Sequence, residues 1–222
     1  MYYDILILIG ITISLIAQLT VTTSYSKYKK ILNSKDITGY EIARKILDKN
    51  GLNEIMILET KGNLSDHYDP QRKVIKLSTD IYHGSSIAAA AVSAHECGHA
   101  IQDKISYKPM RIRSKIIPTV NICTKIGYIA IAIGALFSYQ LIEIGIILLS
   151  TILIFQLITL PVEFNASKRA LQELETLKLI ENNQKNQAKN MLTSAAFTYI
   201  ASLITSFMQI LRLILIFNGR DD

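Results

Sequence analysis

Tryptophan is absent from the 222 residues, cysteine occurs twice and histidine four times. Two cysteines, Cys97 and Cys123, make no disulfide framework, and each reads as a small buried apolar side chain. The formal charge of +6 comes without a Gly-rich phosphate loop and without interleaved aromatic and basic residues, so it does not point to nucleic acid. Charge is also missing locally. Residues 5–21 carry none, 126–160 carry only Glu143, and 195–217 carry only Arg212. Stretches of about 20 apolar residues are long enough to cross a bilayer as helices. This excludes an ordinary soluble protein. The N-terminal run has neither a basic leading region nor a clear small-residue cleavage site, which favours a retained anchor over a signal peptide.

What the chain does have is one chemically dense stretch, Ala94-His95-Glu96-Cys97-Gly98-His99-Ala100. It reads H-E-x-x-H. Residues four apart share a helix face, so His95 and His99 can offer two imidazoles to one cation. Glu96 stands beside them as a candidate general base. Two histidines with an adjacent carboxylate form the zinc-protease pattern, in which the metal acidifies a water and the carboxylate takes its proton. Cys97 falls on a different face. Ser85 and Ser86 offer an N-cap, and Ile87–Ala94 is a run of Ile, Ala, Val and Ser, so the motif is expected inside a buried helix.

The remainder divides into five segments. A membrane helix is expected over 1–21 and a catalytic part over 22–115. A membrane helical hairpin should follow over 116–160, turning near Gln140–Glu143. Next come a helix over 161–190, its end from Glu181 to Lys189 a polar linker, and a last membrane helix with its tail over 191–222. Within the catalytic part, Thr38 and Glu41 fit a capping box. Ile42, Ala43, Ile46 and Leu47 form an apolar stripe, and Asn50-Gly51 is a stop signal. Short strands are expected over 54–59 and 74–77. The strand before the motif helix would serve as an exposed edge for an extended peptide. Ser65–Gln71 between the strands is rich in turn formers. His67 and Tyr68 lie there as possible substrate or transition-state contacts, or as plain turn residues. Residues 104–115 read as a basic loop.

Basic residues sort the segments by side. The stretch 22–115 holds 16 Lys and Arg, and 161–190 holds five. The hairpin turn and residues 1–4 hold none, and the C-terminal tail has only Arg220 beside two Asp. The positive-inside rule then places both basic regions, with Arg44 and Lys178, in the cytoplasm and both termini opposite. A basic run at Lys27, Lys29, Lys30 and Lys35 fits the same topology signal.

Two histidines do not complete a catalytic zinc site, which has three protein ligands and one open position. His67 and His83 are the histidines left. Among downstream carboxylates Glu163 is best placed, though an acid at a helix start is favourable on its own account.

Three motifs extend the reading: L-S-D-H-Y-D-P at Leu64–Pro70, S-A-H-E-C-G-H-A at Ser93–Ala100, and L-P-V-E-F-N-A-S at Leu160–Ser167. Together they resemble the bacterial neutral zinc metallopeptidases of the YugP type across nearly the whole chain. More loosely, the sequence is similar to the HtpX and CAAX prenyl endopeptidase group. That resemblance implies Glu163 as the third Zn²⁺ ligand. The group typically has an acid four residues after that ligand, paired with a zinc histidine. Ser167 stands there in this chain, so the groups around the ligands must differ. No His follows Glu163, so an imidazole that stabilises an oxyanion would be His67 or His83; otherwise a Tyr, Arg or Asn does that work.

The expected fold is an integral membrane, mainly α protein with a small α+β, gluzincin-like catalytic part facing the cytoplasm. The expected function is a multi-pass zinc endopeptidase of the cell membrane, acting on peptides or membrane proteins and not on nucleic acid. His95, His99 and Glu163 bind Zn²⁺ and Glu96 acts as base. The rivals are a membrane scaffold or chaperone-like protein with a structural zinc site, which would have no use for Glu96, and a metal hydrolase acting on non-peptide substrates.

Overall fold

A computed structural model describes residues 3–218. Met1 and Tyr2 of the expected first helix, and Arg220 with the two terminal Asp of the tail, lie outside the described residues. The described residues form seven helices and three strands: α1 (Asp4–Tyr28), α2 (Gly39–Lys49), β1 (Met56–Thr60), β2 (His67–Asp69), β3 (Val74–Ser78), α3 (Thr79–Tyr82), α4 (Ile87–Lys104), α5 (Lys108–Phe137), α6 (Tyr139–Thr176) and α7 (Asn182–Asn218). Four of them, α1, α5, α6 and α7, are long and apolar enough to cross a membrane.

Among the described residues, one compact unit comprises 3–18, 108–161 and 197–218. In it α5 and α6 approach backbone to backbone. A Cβ on Gly127 would lie 3.0 Å from the Gly145 carbonyl, and one on Gly145 would lie 2.8 Å from the Gly127 carbonyl. Small residues permit this close contact where lipid supplies no hydrophobic drive between helices. Thr205 of α7 bonds both the Gly10 carbonyl (2.9 Å) and the Ser14 hydroxyl (2.8 Å) of α1.

The second unit comprises 19–107 and 162–196. Its core is α2 and α4 against a three-stranded sheet of order β1-β3-β2, with β1 parallel and β2 antiparallel to β3. Helix α2 has the capping box: Thr38 accepts from the Glu41 amide and the Glu41 carboxylate accepts from the Thr38 amide. Ile42, Ala43, Ile46 and Leu47 are fully buried. At its end Gly51 takes φ +62°, the left-handed conformation that glycine adopts freely. Helix α4 is capped by the Ser86 hydroxyl, which accepts from the Ala89 amide.

Several sequence expectations shift. The basic stretch read as a loop is helical from Lys108, leaving only Ile105–Tyr107 between α4 and α5. Pro109 falls in the first turn, where a missing N–H costs nothing. The hairpin turns at Ser138, not at Gln140–Glu143. Pro161 does not start a new helix but lies inside α6. The linker 181–189 is mostly the start of α7, where the good helix formers Gln184, Lys185, Gln187, Ala188 and Lys189 outnumber three Asn. His67–Asp69, read as turn, is a strand too short to show alternation. The strand before the motif helix is the sheet's middle strand, flanked by β1 and β2, so it offers no free edge.

Candidate metal centre

His95 and His99 project from α4, and Glu163 projects from α6 to meet them. Glu163 Oε2 lies 3.3 Å from His95 Nε2 and 3.5 Å from His99 Nε2. The imidazoles stand edge to face, with centroids 4.8 Å apart and planes at 87°. Glu163 is 3% exposed. Ligand atoms held about 2.0–2.1 Å from a tetrahedral zinc sit about 3.3–3.4 Å from one another. The two Glu163 separations match that value, and all three donor atoms lie within 4.8 Å of one another, so two imidazole nitrogens and one carboxylate oxygen make a donor set that suits Zn²⁺. Because Glu163 lies well inside α6, it is not a helix-start acid.

The close approach of the two helices depends on Gly98, between the two histidines on α4. A Cβ there would lie 2.6 Å from the Ala166 carbonyl oxygen of α6. Cys97 points away, its thiol donating to the Ala43 carbonyl, and complete burial pushes its pKa well up.

The far side of each imidazole is also held. Ser167 Oγ lies 3.1 Å from His95 Nδ1, and Gln102 Oε1 lies 3.0 Å from His99 Nδ1. With both Nδ1 atoms engaged, both Nε2 atoms face Glu163. The hydroxyl of Ser167 thus stands where the resemblance led one to expect an acid. Burial alone would lower the pKa of His99, but bonding to Glu163 and the charge of Glu96 outweigh it and hold the pKa up. Glu96 is 7% exposed, and among the described residues no hydrogen bond or ion pair ties up its carboxylate.

His67 and Tyr68 are on β2, outside this cluster. His67 is exposed, with Nδ1 2.8 Å from the Ser65 carbonyl. Tyr68 is buried and donates its hydroxyl to Asp103 (2.8 Å), an acid that Lys73 also contacts at 2.5 Å. His83 pairs with Glu59 on the surface. Sequence reasoning missed Gly98 and Gln102. The available signal was their offset from the histidines, since Gln102 lies three residues after His99 on the same helix.

The whole chain matches known proteins. The family model described as "Putative neutral zinc metallopeptidase" covers residues 3–218. The chain is 43% identical over 224 residues to "Putative membrane protease YugP" of Bacillus subtilis (strain 168), an alignment that takes in 100% of both chains. No solved structure matches it.

Proposed function

The chain belongs to the neutral zinc metallopeptidase family, and from that membership we propose that it is a membrane-bound zinc endopeptidase that hydrolyses peptide bonds. The observation that carries this reading is the His95–His99–Glu163 cluster, with Glu163 Oε2 3.3 and 3.5 Å from the two imidazole nitrogens and one donor atom from each residue within 4.8 Å of the others. Zn²⁺ held by these three residues would acidify a water and polarise the scissile carbonyl. Glu96 takes the proton of the attacking water on its carboxylate and delivers it to the leaving amine. Its free, nearly buried carboxylate favours an enzyme over a scaffold that keeps a structural zinc, because a structural site needs no base. Ser167 and Gln102 hold the imidazoles in the metal-facing orientation.

The substrate is a peptide or membrane protein. It reaches the site from the cytoplasm, the side to which the basic segments point. An extended peptide would pair with an outer edge of β1 or β2, where His67 is exposed. Tyr68 is the weaker candidate for substrate contact, because its hydroxyl is already bound to Asp103. The test pairs zinc analysis of the purified protein with a proteomic comparison of cells carrying wild type and Glu96→Gln. Stoichiometric zinc, with membrane-protein fragments that disappear in the variant, is the expected result. Zinc without any difference between the two proteomes would favour the scaffold.

A further inference from the structure

We infer that Gln102 is a positioning residue: its amide, anchored by Val162, Asn165 and Arg169, fixes which nitrogen of His99 is free for the metal. This rests on the zinc reading above and adds to it the device that selects the ligand atom.

A buried amide can sit in either of two orientations unless its neighbours decide. Gln102 is fully buried. Its Nε2 lies 2.8 Å from the Val162 carbonyl oxygen and 3.0 Å from Asn165 Oδ1. The carbonyl can only accept, so the NH2 end must be there. Asn165 is fixed in the same way. Arg169 Nε, 2.8 Å away, can only donate, so Asn165 must present its oxygen. That leaves Gln102 Oε1 against His99 Nδ1 at 3.0 Å. An amide oxygen only accepts, so Nδ1 must carry the proton. A neutral imidazole has one N–H, and the lone pair therefore falls on Nε2, the atom that faces Glu163.

Two donors, Arg169 Nε and Gln102 Nε2, converge on Asn165 Oδ1, and Gln102 Oε1 in turn accepts from His99 Nδ1, so the permanent cation of Arg169 fixes each orientation up to the metal-facing nitrogen. Val162 is also the residue next to Glu163. One amide thus ties the orientation of a ligand on α4 to the α6 backbone that carries another. Gln102 does this without adding charge, so Glu163 remains the single anionic ligand.

The experiment uses the full-length protein in detergent micelles. Zinc dissociation constants come from chelator competition and apo-protein stability from thermal melts, for wild type, Gln102→Leu and Gln102→Glu. Leucine removes the acceptor, and zinc affinity should fall about 10–100-fold. Glutamate keeps an acceptor for Nδ1–H and should hold zinc within a few-fold of wild type, while its carboxylate, set against the Val162 carbonyl, lowers the melting temperature. Affinity and stability then separate. A residue that merely fills space would make affinity follow stability, with glutamate at least as damaging as leucine, and that order would overturn the proposal. Should Gln102→Glu fail to fold, the ¹⁵N shifts of the neutral His99 ring in metal-free wild type and Gln102→Leu decide. Wild type should be the Nδ1–H tautomer and the leucine variant a mixture. An Nε2–H ring in wild type refutes the assignment. Absence of zinc binding in wild type would sink the proposed function, while the tautomer measurement would still judge Gln102.

Discussion

Glu96 and Glu163 are both buried carboxylates, and what surrounds them separates their roles. Glu163 meets two imidazole nitrogens at 3.3 and 3.5 Å, whereas Glu96 has no such partner among the described residues. Glu96→Gln is nearly isosteric and removes only the proton acceptor. It should keep zinc and lose turnover by about 10²–10⁴-fold. Glu163→Ala removes the proposed third ligand, so zinc itself should be lost. Zinc per protein after mild chelation, measured for both variants, checks the contrast; firm zinc retention in Glu163→Ala would move the third ligand elsewhere. Away from the site, Asp66 is a charge held at a cost. Burial raises its pKa, opposed by bonds from the Ser78 amide (2.7 Å) and hydroxyl. A carboxyl whose folded pKa is raised contributes stability that is full below its unfolded pKa and is lost as pH rises through the folded value. Asp66→Asn keeps an acceptor for Ser78 and removes this loss. Melts from pH 3 to 7 should show wild type falling away from the variant as pH rises through the acidic range.

Among the elements, the pairing of α4 with α6 makes the site. Gly98 is the small residue at that contact, and the atom it would strike is a backbone oxygen, which cannot rotate away. Gly98→Ala should therefore part the helices, cost about 1–3 kcal/mol of stability and weaken zinc, although no ligand changes. Thermal melts with zinc titration check it; unchanged zinc affinity would show that the helices tolerate the extra methyl. Local signals were legible where the deciding atoms lie a few residues apart, as in the Thr38–Glu41 box, the Ser86 cap and the i,i+4 histidines. They failed where an element continues through a residue that usually stops it. Pro161 lacks an N–H for the Leu157 carbonyl, yet α6 runs on to Thr176. The meeting of Gly98 with Ala166, and of Gln102 with Val162, joins residues more than 50 positions apart, and no local pattern encodes it.

At the scale of the whole chain, the four apolar runs were legible because hydrophobic length is a property of composition. The proposed third ligand was not; Glu163 followed from family resemblance, and the geometry then placed it 3.3 and 3.5 Å from the two histidines. Topology is the remaining quantity that the sequence argues. With four crossings, the segment after the first helix and the segment after the third emerge on one side, and they hold 16 and five Lys and Arg while the opposite-side hairpin turn holds none. The candidate ligands require this too, since His95 and Glu163 come from those two segments. The test is thiol labelling of single engineered cysteines in a Cys123→Ser background; Cys97 is buried, and burial keeps its thiol protonated. Arg44 is a poor probe position, because its guanidinium bonds the Leu52 and Ile55 carbonyls. Lys45 and Lys178 are exposed and serve better. In intact cells, an impermeant maleimide should leave both Lys45→Cys and Lys178→Cys unlabelled, and permeabilisation should expose both. Labelling of the two from opposite sides would leave His95 and Glu163 across the bilayer from each other and end the shared metal centre. Labelling of both from outside would keep the centre but turn its active face away from the cytoplasm.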